Sequence, residues 1–388
     1  MFIFLSMIKV LSIIGARPQI IKAAAFSRAV QMAYKDKIKE CILHTGQHYD
    51  QNMSTVFFDQ MGIPKPDFNL KVGSGNHGKQ TALMIKGIED VLLKEKPNCM
   101  VVYGDTNSTL AGAIAAAKLH VPIVHIEAGL RSFNKAMPEE VNRIMCDHVS
   151  TLLFTPTEAG YYNLIREGFK EGNAKPYSVD NPKIYHCGDV MYDNSKYFSE
   201  LTEEASSVCE DWEIDKGNYV LATIHRNNNT DEPKRLNALF SALNKISVEN
   251  NVQVVLPIHP RTSKLLKKNL KSSLYAEIKK NANFKLLPAV SFLDMVALEK
   301  EAKLVMTDSG GVQKEAYFFN KPCVILRSET EWVELVDNGN AIVADADENK
   351  ILEAYNVLVN KTDYSYPPLF GDGKAALFIC EEIVKNIA

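Results

Sequence analysis

No Cys-x-x-Cys pair occurs in this 388-residue chain, although it holds seven cysteines, Cys41, Cys99, Cys146, Cys187, Cys209, Cys323 and Cys380. An odd number of thiols without ligand or disulfide-framework spacing argues for reduced cysteines in a cytoplasm and against a bound metal. An excess of one charge sign is lacking too. Lys and Arg number 44 against 47 Asp and Glu, a net charge of −3, so neither nucleic acid nor a membrane surface is expected as a partner. No stretch approaches the roughly 20 apolar residues that a bilayer crossing needs. The apolar start lacks a basic n-region and runs into Ala16-Arg17-Pro18 instead of a small-residue cleavage site. Residues 8–14 therefore read as a buried first strand, the first six being an upstream start or a frayed extension.

What is present is an ordinary globular composition, 46% hydrophobic and 23% charged. The length exceeds one hydrophobic core, so two domains are expected. The densest chemistry lies in 101–143, an apolar run ending in Gly104-Asp105-Thr106, an Ala-rich helical segment, and a second apolar run over 121–126. That is a β-α-β unit. Side chains just past the carboxyl ends of parallel strands face the ligand crevice, and those positions hold Asp105 and Glu127. Glu139, in the Pro138-Glu139-Glu140 turn, is a third candidate for the same rim. Carboxylates gathered beside an apolar sheet edge acquire divergent pKa values, as acid/base work on a weakly acidic C–H requires. The plainer alternatives are an N-cap role for Asp105 and first-turn dipole roles for Glu139 and Glu140. Glu127, flanked by His125, Ile126, Ala128 and Gly129, is costly to place near a core without use.

Strand 9–14 ends at Gly15-Ala16-Arg17-Pro18 and a helix follows over 19–34, a turn suited to an anion, with Arg17 and Lys22 supplying charge. Either cation is equally readable as a solvated helix charge. A strand at 40–44 ends in the polar loop Thr45-Gly46-Gln47-His48. After strand 152–157, the Gly, Asn, Lys and Pro-rich segment 167–182 places the interdomain region in it or just beyond it. The second half repeats the alternation, with strands over 219–224, 252–257, 284–287, 304–307 and 322–326. Their ends carry His225-Arg226, His259-Pro260-Arg261-Thr262 and Asp308-Ser309-Gly310-Gly311. The glycine turn before a helix is a second anion cradle, suited to a diphosphate, with Ser309 adding a donor and Glu315 able to accept ribose hydroxyls. Such turns also serve merely to pack helix on strand. His225, beside Arg226 and opposite this turn, can donate to a phosphate oxygen. The expected class is α/β, two Rossmann-like doubly wound domains facing a cleft, divided as 1–183 with the carboxylates and 184–372 with the nucleotide site.

Gly15-Ala16-Arg17-Pro18, Thr45-Gly46-Gln47-His48, Gly104-Asp105-Thr106, His125 to Arg131, Pro138 to Arg143, His225-Arg226 and Thr307 to Gln313, in this order, resemble the non-hydrolysing UDP-N-acetylglucosamine 2-epimerase family over nearly the whole chain. The resemblance implies a glycosyltransferase-B type fold with a C-terminal helix, 373–388, crossing back to the first domain. It implies elimination of UDP by removal of the C2 proton, giving a 2-acetamidoglucal, and re-addition with C2 inverted. It assigns Asp105, Glu127 and Glu139 to proton transfer, His225 to the departing UDP, and Arg17 and Lys22 to the phosphate side. Ser309, Gly310, Gly311 and Glu315 fall to the nucleotide. The UDP-sugar is the expected partner of a cytoplasmic homodimer, with no cofactor and no metal. Some members are activated by their own substrate, for which the Gln47-His48 loop is a candidate.

Two departures stand out. Where many family members read Thr-Glu-Arg-Pro-Glu, this chain has Thr330-Glu331-Trp332-Val333-Glu334, and a position often held by Gln is Val290. With Arg261, which suits a sugar carboxylate, this resembles the branch that epimerises UDP-2,3-diacetamido-2,3-dideoxyglucuronate. A UDP-sugar glycosyltransferase and a non-catalytic nucleotide-sugar sensor are the other readings. The first would need an acceptor site instead of clustered carboxylates, and the second would tolerate loss of Asp105 and Glu127.

Overall fold

The computed structural model describes residues 7–47, 58, 61–258 and 260–387, and at 203, 204, 260 and 261 the backbone alone. His48, His259, the side chain of Arg261 and the first six residues lie outside what is described. The chain divides into two compact units, one of the residues up to Asn194 together with those from Pro368 on, the other Ser195–Pro367.

The first unit is built on a seven-stranded parallel sheet. Its strands are β1 Ile8–Ile14, β2 Ile38–His44, β3 Phe68–Asn69, β4 Cys99–Tyr103, β5 Ile123–Ile126, β6 Leu152–Thr155 and β7 Lys183–His186, in the order β3-β2-β1-β4-β5-β6-β7. Every residue of β4 is buried, as expected of a strand covered on both faces by crossover helices. Leu11, Ile13, Leu43, Met100, Val102 and Ile123 form the core with Met84, Ile88, Leu92 and the alanines of the crossover from β4 to β5. Strand order reverses between β1 and β4, which pair in parallel with Val10 beside Cys99. That reversal opens a crevice beyond their carboxyl ends. Three helices frame it, α1 (Arg17–Ala29), α2 (Asn107–Lys118) and α3 (Pro138–His148).

The second unit holds a six-stranded parallel sheet, β8 Tyr219–Thr223, β9 Gln253–Pro257, β10 Phe284–Leu287, β11 Leu304–Thr307, β12 Cys323–Ile325 and β13 Ala341–Val343, ordered β10-β9-β8-β11-β12-β13. Its core gathers Val220, Ala222, Val254, Leu256, Leu304, Met306 and Val324 against Leu236, Phe240 and Leu243. The order reverses between β8 and β11, where Thr223 pairs with Thr307. Helix α4 (Gly310–Phe318) leaves from β11. Both units are Rossmann-like, doubly wound α/β structures of the glycosyltransferase-B class.

Two boundaries differ from the sequence expectation. Residues 167–182 do not link domains, because Asn173 donates to the Pro182 carbonyl and Asn181 to those of Ala174 and Pro176, tying the segment into a loop of the first unit. Strand β7, expected to open the second domain, pairs with β6, and Tyr185 stacks on Phe154 at 5.0 Å. The chain leaves the first unit within helix Val190–Ala205 and returns to it at Pro367–Pro368. The C-terminal helix Ala375–Ile387 belongs to the first unit, where Asp193 accepts from the N–H groups of Ala375 and Ala376 at 3.1 and 2.8 Å. Sequence pattern also passes over β3, whose two residues are too few to show alternation.

Candidate functional site

At the reversal of the first sheet, Asp105 and Glu127 stand past the ends of β4 and β5. Gly104 has φ +60, and a Cβ there would lie 2.8 Å from Lys22 Nζ, so the turn admits no larger residue without displacing that ammonium. Lys22, on α1, is buried and ion-paired with Glu127. Glu127 itself is left-handed at φ +72, a conformation rare for a non-glycine residue. The Asp105 carboxylate, part-exposed, is paired with Arg143 Nη2 of α3 at 2.6 Å, and Asn142 holds its backbone carbonyl at 2.8 Å. Thr106, not Asp105, caps α2, its hydroxyl accepting from Thr109 N–H. The capping alternative for Asp105 therefore falls, leaving its carboxylate to Arg143.

Arg143 also reaches Glu140 at 2.9 Å. Burial raises the Glu140 carboxyl, but the Ser132 N–H, the Arg143 guanidinium and the Phe133 N–H outweigh it and hold it below the ordinary carboxylate range. Pro138 opens α3 and is not in a free turn, which turns Glu140 inward and leaves Glu139 exposed in the first helical turn. Arg17 is exposed at the start of α1.

Beneath these groups runs a buried network that sequence reading left out. His125 Nδ1 meets Asp147 Oδ1 at 2.7 Å and Nε2 meets the Gly104 carbonyl at 2.9 Å. Asp147 Oδ2 accepts the Gly129 N–H at 3.1 Å and pairs with Arg131 at 2.7 Å, and Arg131 makes a two-pronged pair with Glu167. Burial pushes Asp147 up, but His125 and Arg131 outweigh it and hold the carboxylate low. His148 pairs with Glu167 at 3.1 Å. Gln47 is likewise part of the frame, its Oε1 accepting from Ser108 N–H and Oγ at 2.9 and 2.7 Å.

At the reversal of the second sheet, buried Asp308 accepts from the backbone N–H groups of His225 and Arg226 and from Asn229. It also pairs with His225 Nδ1 at 3.0 Å, while the imidazole stays half exposed. Burial raises Asp308 and the His225 contact, with the added N–H donors, brings it below its usual value. Ser309 caps α4. Added Cβ atoms on Gly310 and Gly311 would meet nothing closer than 3.6 Å, so these glycines leave open room at the helix start, and no local packing requires them. The walls of that space are Arg327 and Glu331, paired at 3.0 Å, and Trp332, over whose ring the buried Lys314 ammonium lies at 4.2 Å. Glu315, one turn on, hydrogen-bonds the buried Glu299, whose carboxyl is raised by burial and by that neighbour. Among the described residues no group of three or more His, Cys, Asp or Glu is placed to hold a metal ion, and no helix is long and apolar enough to cross a membrane.

A family model described as UDP-N-acetylglucosamine 2-epimerase matches residues 31–384. The UDP-2,3-diacetamido-2,3-dideoxy-D-glucuronate 2-epimerase of Pseudomonas aeruginosa is 47% identical over 377 residues, 97% of this chain and 99% of that protein. This chain belongs to the UDP-N-acetylglucosamine 2-epimerase family. Another relative is the UDP-N-acetylglucosamine 2-epimerase of Methanocaldococcus jannaschii, 41% identical over 363 residues, 94% of this chain and 95% of that protein. The crystal structure of the Methanocaldococcus jannaschii enzyme in complex with UDP-GlcNAc and UDP aligns at a TM-score of 0.85 with 39% identity, covering 97% of this chain and all of that one. These relatives are UDP-sugar 2-epimerases, which are isomerases. Within this epimerase-family chain, His125, Glu140, Arg143, Asp147 and Asp308 all lay inside or beside the motifs, and only contacts made across the fold reveal their pairings.

Proposed function

We propose that this chain interconverts UDP-N-acetylglucosamine and UDP-N-acetylmannosamine by elimination and re-addition of UDP. The observation that carries the reading is the pair of carboxylates, Asp105 and Glu127, each held against its own buried cation past the ends of adjacent strands. The C2 proton has no neighbouring carbonyl to acidify it. Its loss must therefore accompany C1–O cleavage, the C–H electron pair forming the C1–C2 double bond while the C1–O pair leaves on the β-phosphate. A carboxylate takes the proton; in the return step a carboxyl delivers one to the other face of C2 as the phosphate oxygen attacks C1. Glu139 is the third acid of this set, at an exposed position suited to exchange with solvent.

The diphosphate belongs to the amides of Ser309, Gly310 and Gly311 at the start of α4, helped by His225 and Arg226, and the ribose to Glu315. Arg17 adds charge on the phosphate side. Lys22 pairs with Glu127 and adds a second positive charge on that side. The chain is read as a cytoplasmic homodimer that supplies an acetamido-sugar nucleotide for polysaccharide assembly. Incubation with UDP-N-acetylglucosamine in deuterated water, followed by NMR, tests the activity. Deuterium at C2 together with the manno epimer is expected, and neither appearing would remove this substrate.

A second substrate, UDP-2,3-diacetamido-2,3-dideoxyglucuronate, is favoured by Trp332 where the family pattern carries arginine, with the Lys314 cation over its ring beside Gly310. The 47% identity to the Pseudomonas aeruginosa enzyme supports it. The same NMR assay run on both sugars separates the two, the larger kcat/KM marking the substrate.

A further inference from the structure

His125 is fully buried, and both of its ring nitrogens face acceptors. The Gly104 carbonyl, 2.9 Å from Nε2, has no proton to give. Asp147, 2.7 Å from Nδ1, is an ionised carboxylate whose second oxygen already receives the Gly129 N–H and the Arg131 guanidinium. A neutral imidazole carries one N–H. In either tautomer its remaining lone pair would point at an oxygen lone pair within hydrogen-bond distance, an unmade bond at a fully buried ring. Two ring protons remove the conflict. The positive charge they bring is matched locally, since His125 and Arg131 face Asp147 and Glu167 in one cluster.

The elements joined by this ring carry the proposed chemistry. Gly104 precedes Asp105, and its N–H is bound by the Ile126 carbonyl at 2.9 Å. Glu127 lies between His125 and Gly129, and both of these are tied to the same Asp147 carboxylate. Glu127, with φ +72, thus lies between two points fixed to α3, its own N–H held by the Phe154 carbonyl at 3.1 Å, while Nε2 anchors the neighbouring turn. A left-handed residue of this kind costs about 1–2 kcal/mol, and holds its place only where its surroundings over-determine it.

We propose that His125 is a buried imidazolium which, with Asp147, positions the turns of Asp105 and Glu127 for proton transfer at C2. It touches no reacting atom, and its role rests on the epimerase reading above. The full-length protein, labelled with nitrogen-15 at histidine, gives one test at near-neutral pH. One histidine is expected to show both nitrogens protonated, with two slowly exchanging N–H protons, and Asp147→Asn to abolish the second. A single protonated nitrogen on the His125 ring, told apart from the other buried histidine, His44, by the signal lost in His44→Gln, overturns the proposal whether or not Asp147→Asn folds. The other test is kinetic. Asp147→Asn should lower kcat for C2 deuterium exchange by about a hundredfold, as sub-ångström misplacement of a proton-transfer group does, with UDP affinity unchanged. Unchanged kcat, or kcat and UDP affinity falling together, reduces the pair to scaffolding and overturns the positioning role. A wild-type chain that exchanges C2 of neither UDP-sugar removes the epimerase reading and the positioning role with it. The NMR result still decides the charge on His125, so the two failures are distinguishable.

Discussion

Asp105 and Glu127 differ in their burial and in their cation, but both are assigned to proton transfer. Asp105→Asn and Glu127→Gln are each expected to lower C2 deuterium exchange by about a hundredfold or more, the usual worth of a general acid or base, while calorimetry shows UDP binding retained. Lys22 and Glu127 form a pair with side chains only 10% and 8% exposed. Lys22→Met alone should cost about 3 kcal/mol of stability in urea unfolding, because it takes the paired cation from a buried carboxylate, whereas Lys22→Met with Glu127→Leu should recover most of that loss. The carboxylates and the cations were legible in the sequence as residue types at strand ends. Their pairing was not, since Lys22 and Glu127 lie 105 residues apart and no local pattern relates them.

Strand pairing and turns govern the next scale. Glu40 on β2 receives the Ser12 hydroxyl of β1 at 2.6 Å, and burial pushes its carboxyl up from 4.5 to about 7, with Asp67 adding to the rise. A carboxyl raised on folding contributes stability that is complete below pH 4.5 and is lost as pH rises through about 7. Glu40→Gln should therefore gain up to about 3 kcal/mol over the wild type above that window and almost nothing below it, at about 1.4 kcal/mol per unit. Urea unfolding on both sides of the window reads the difference. At the turn after β5, Gly129 has φ +79 and a Cβ there would come within 2.2 Å of the Gly160 carbonyl oxygen. Gly129→Ala should accordingly lose cooperative folding or fall well below wild type in its melting temperature. The β-α-β alternation that builds this site was readable because strands covered on both faces show continuous apolar runs. The short β3 and the place of β7 were not, because partner choice within a sheet depends on long-range packing such as Tyr185 on Phe154.

For the molecule as a whole, the epimerase reading assigns proton transfer to residues of the first unit and the diphosphate to residues of the second. UDP alone should slow amide exchange around 223–231 and 307–316, and the UDP-sugar should extend that protection to 104–106 and 127–131. Protection that never reaches the first unit would count against shared action on one sugar. Saturating UDP, at about a hundred times its Kd, should stabilise the wild type and Asp105→Asn alike by about 2.7 kcal/mol. Gly311→Val should fold with near-normal stability, since a Cβ there meets only ordinary contacts, and yet lose this stabilisation.

Composition and order of residues were enough to determine the α/β class, the two-fold repetition of strand and helix, the Gly-Asp and Ser-Gly-Gly turns and the family, since these follow from local periodicity and contiguous motifs. Tertiary structure alone decided that Glu140 turns inward while Glu139 stays in solvent, that β7 closes the first sheet, and that His125, Asp147 and Arg131 lock the turns beneath the carboxylates. The place of β7 rests on packing such as Tyr185 against Phe154, and the other two outcomes depend on which buried charge finds a partner. In a low-dielectric interior that choice is made by groups far apart in the chain and brought together only by the packing of the sheet.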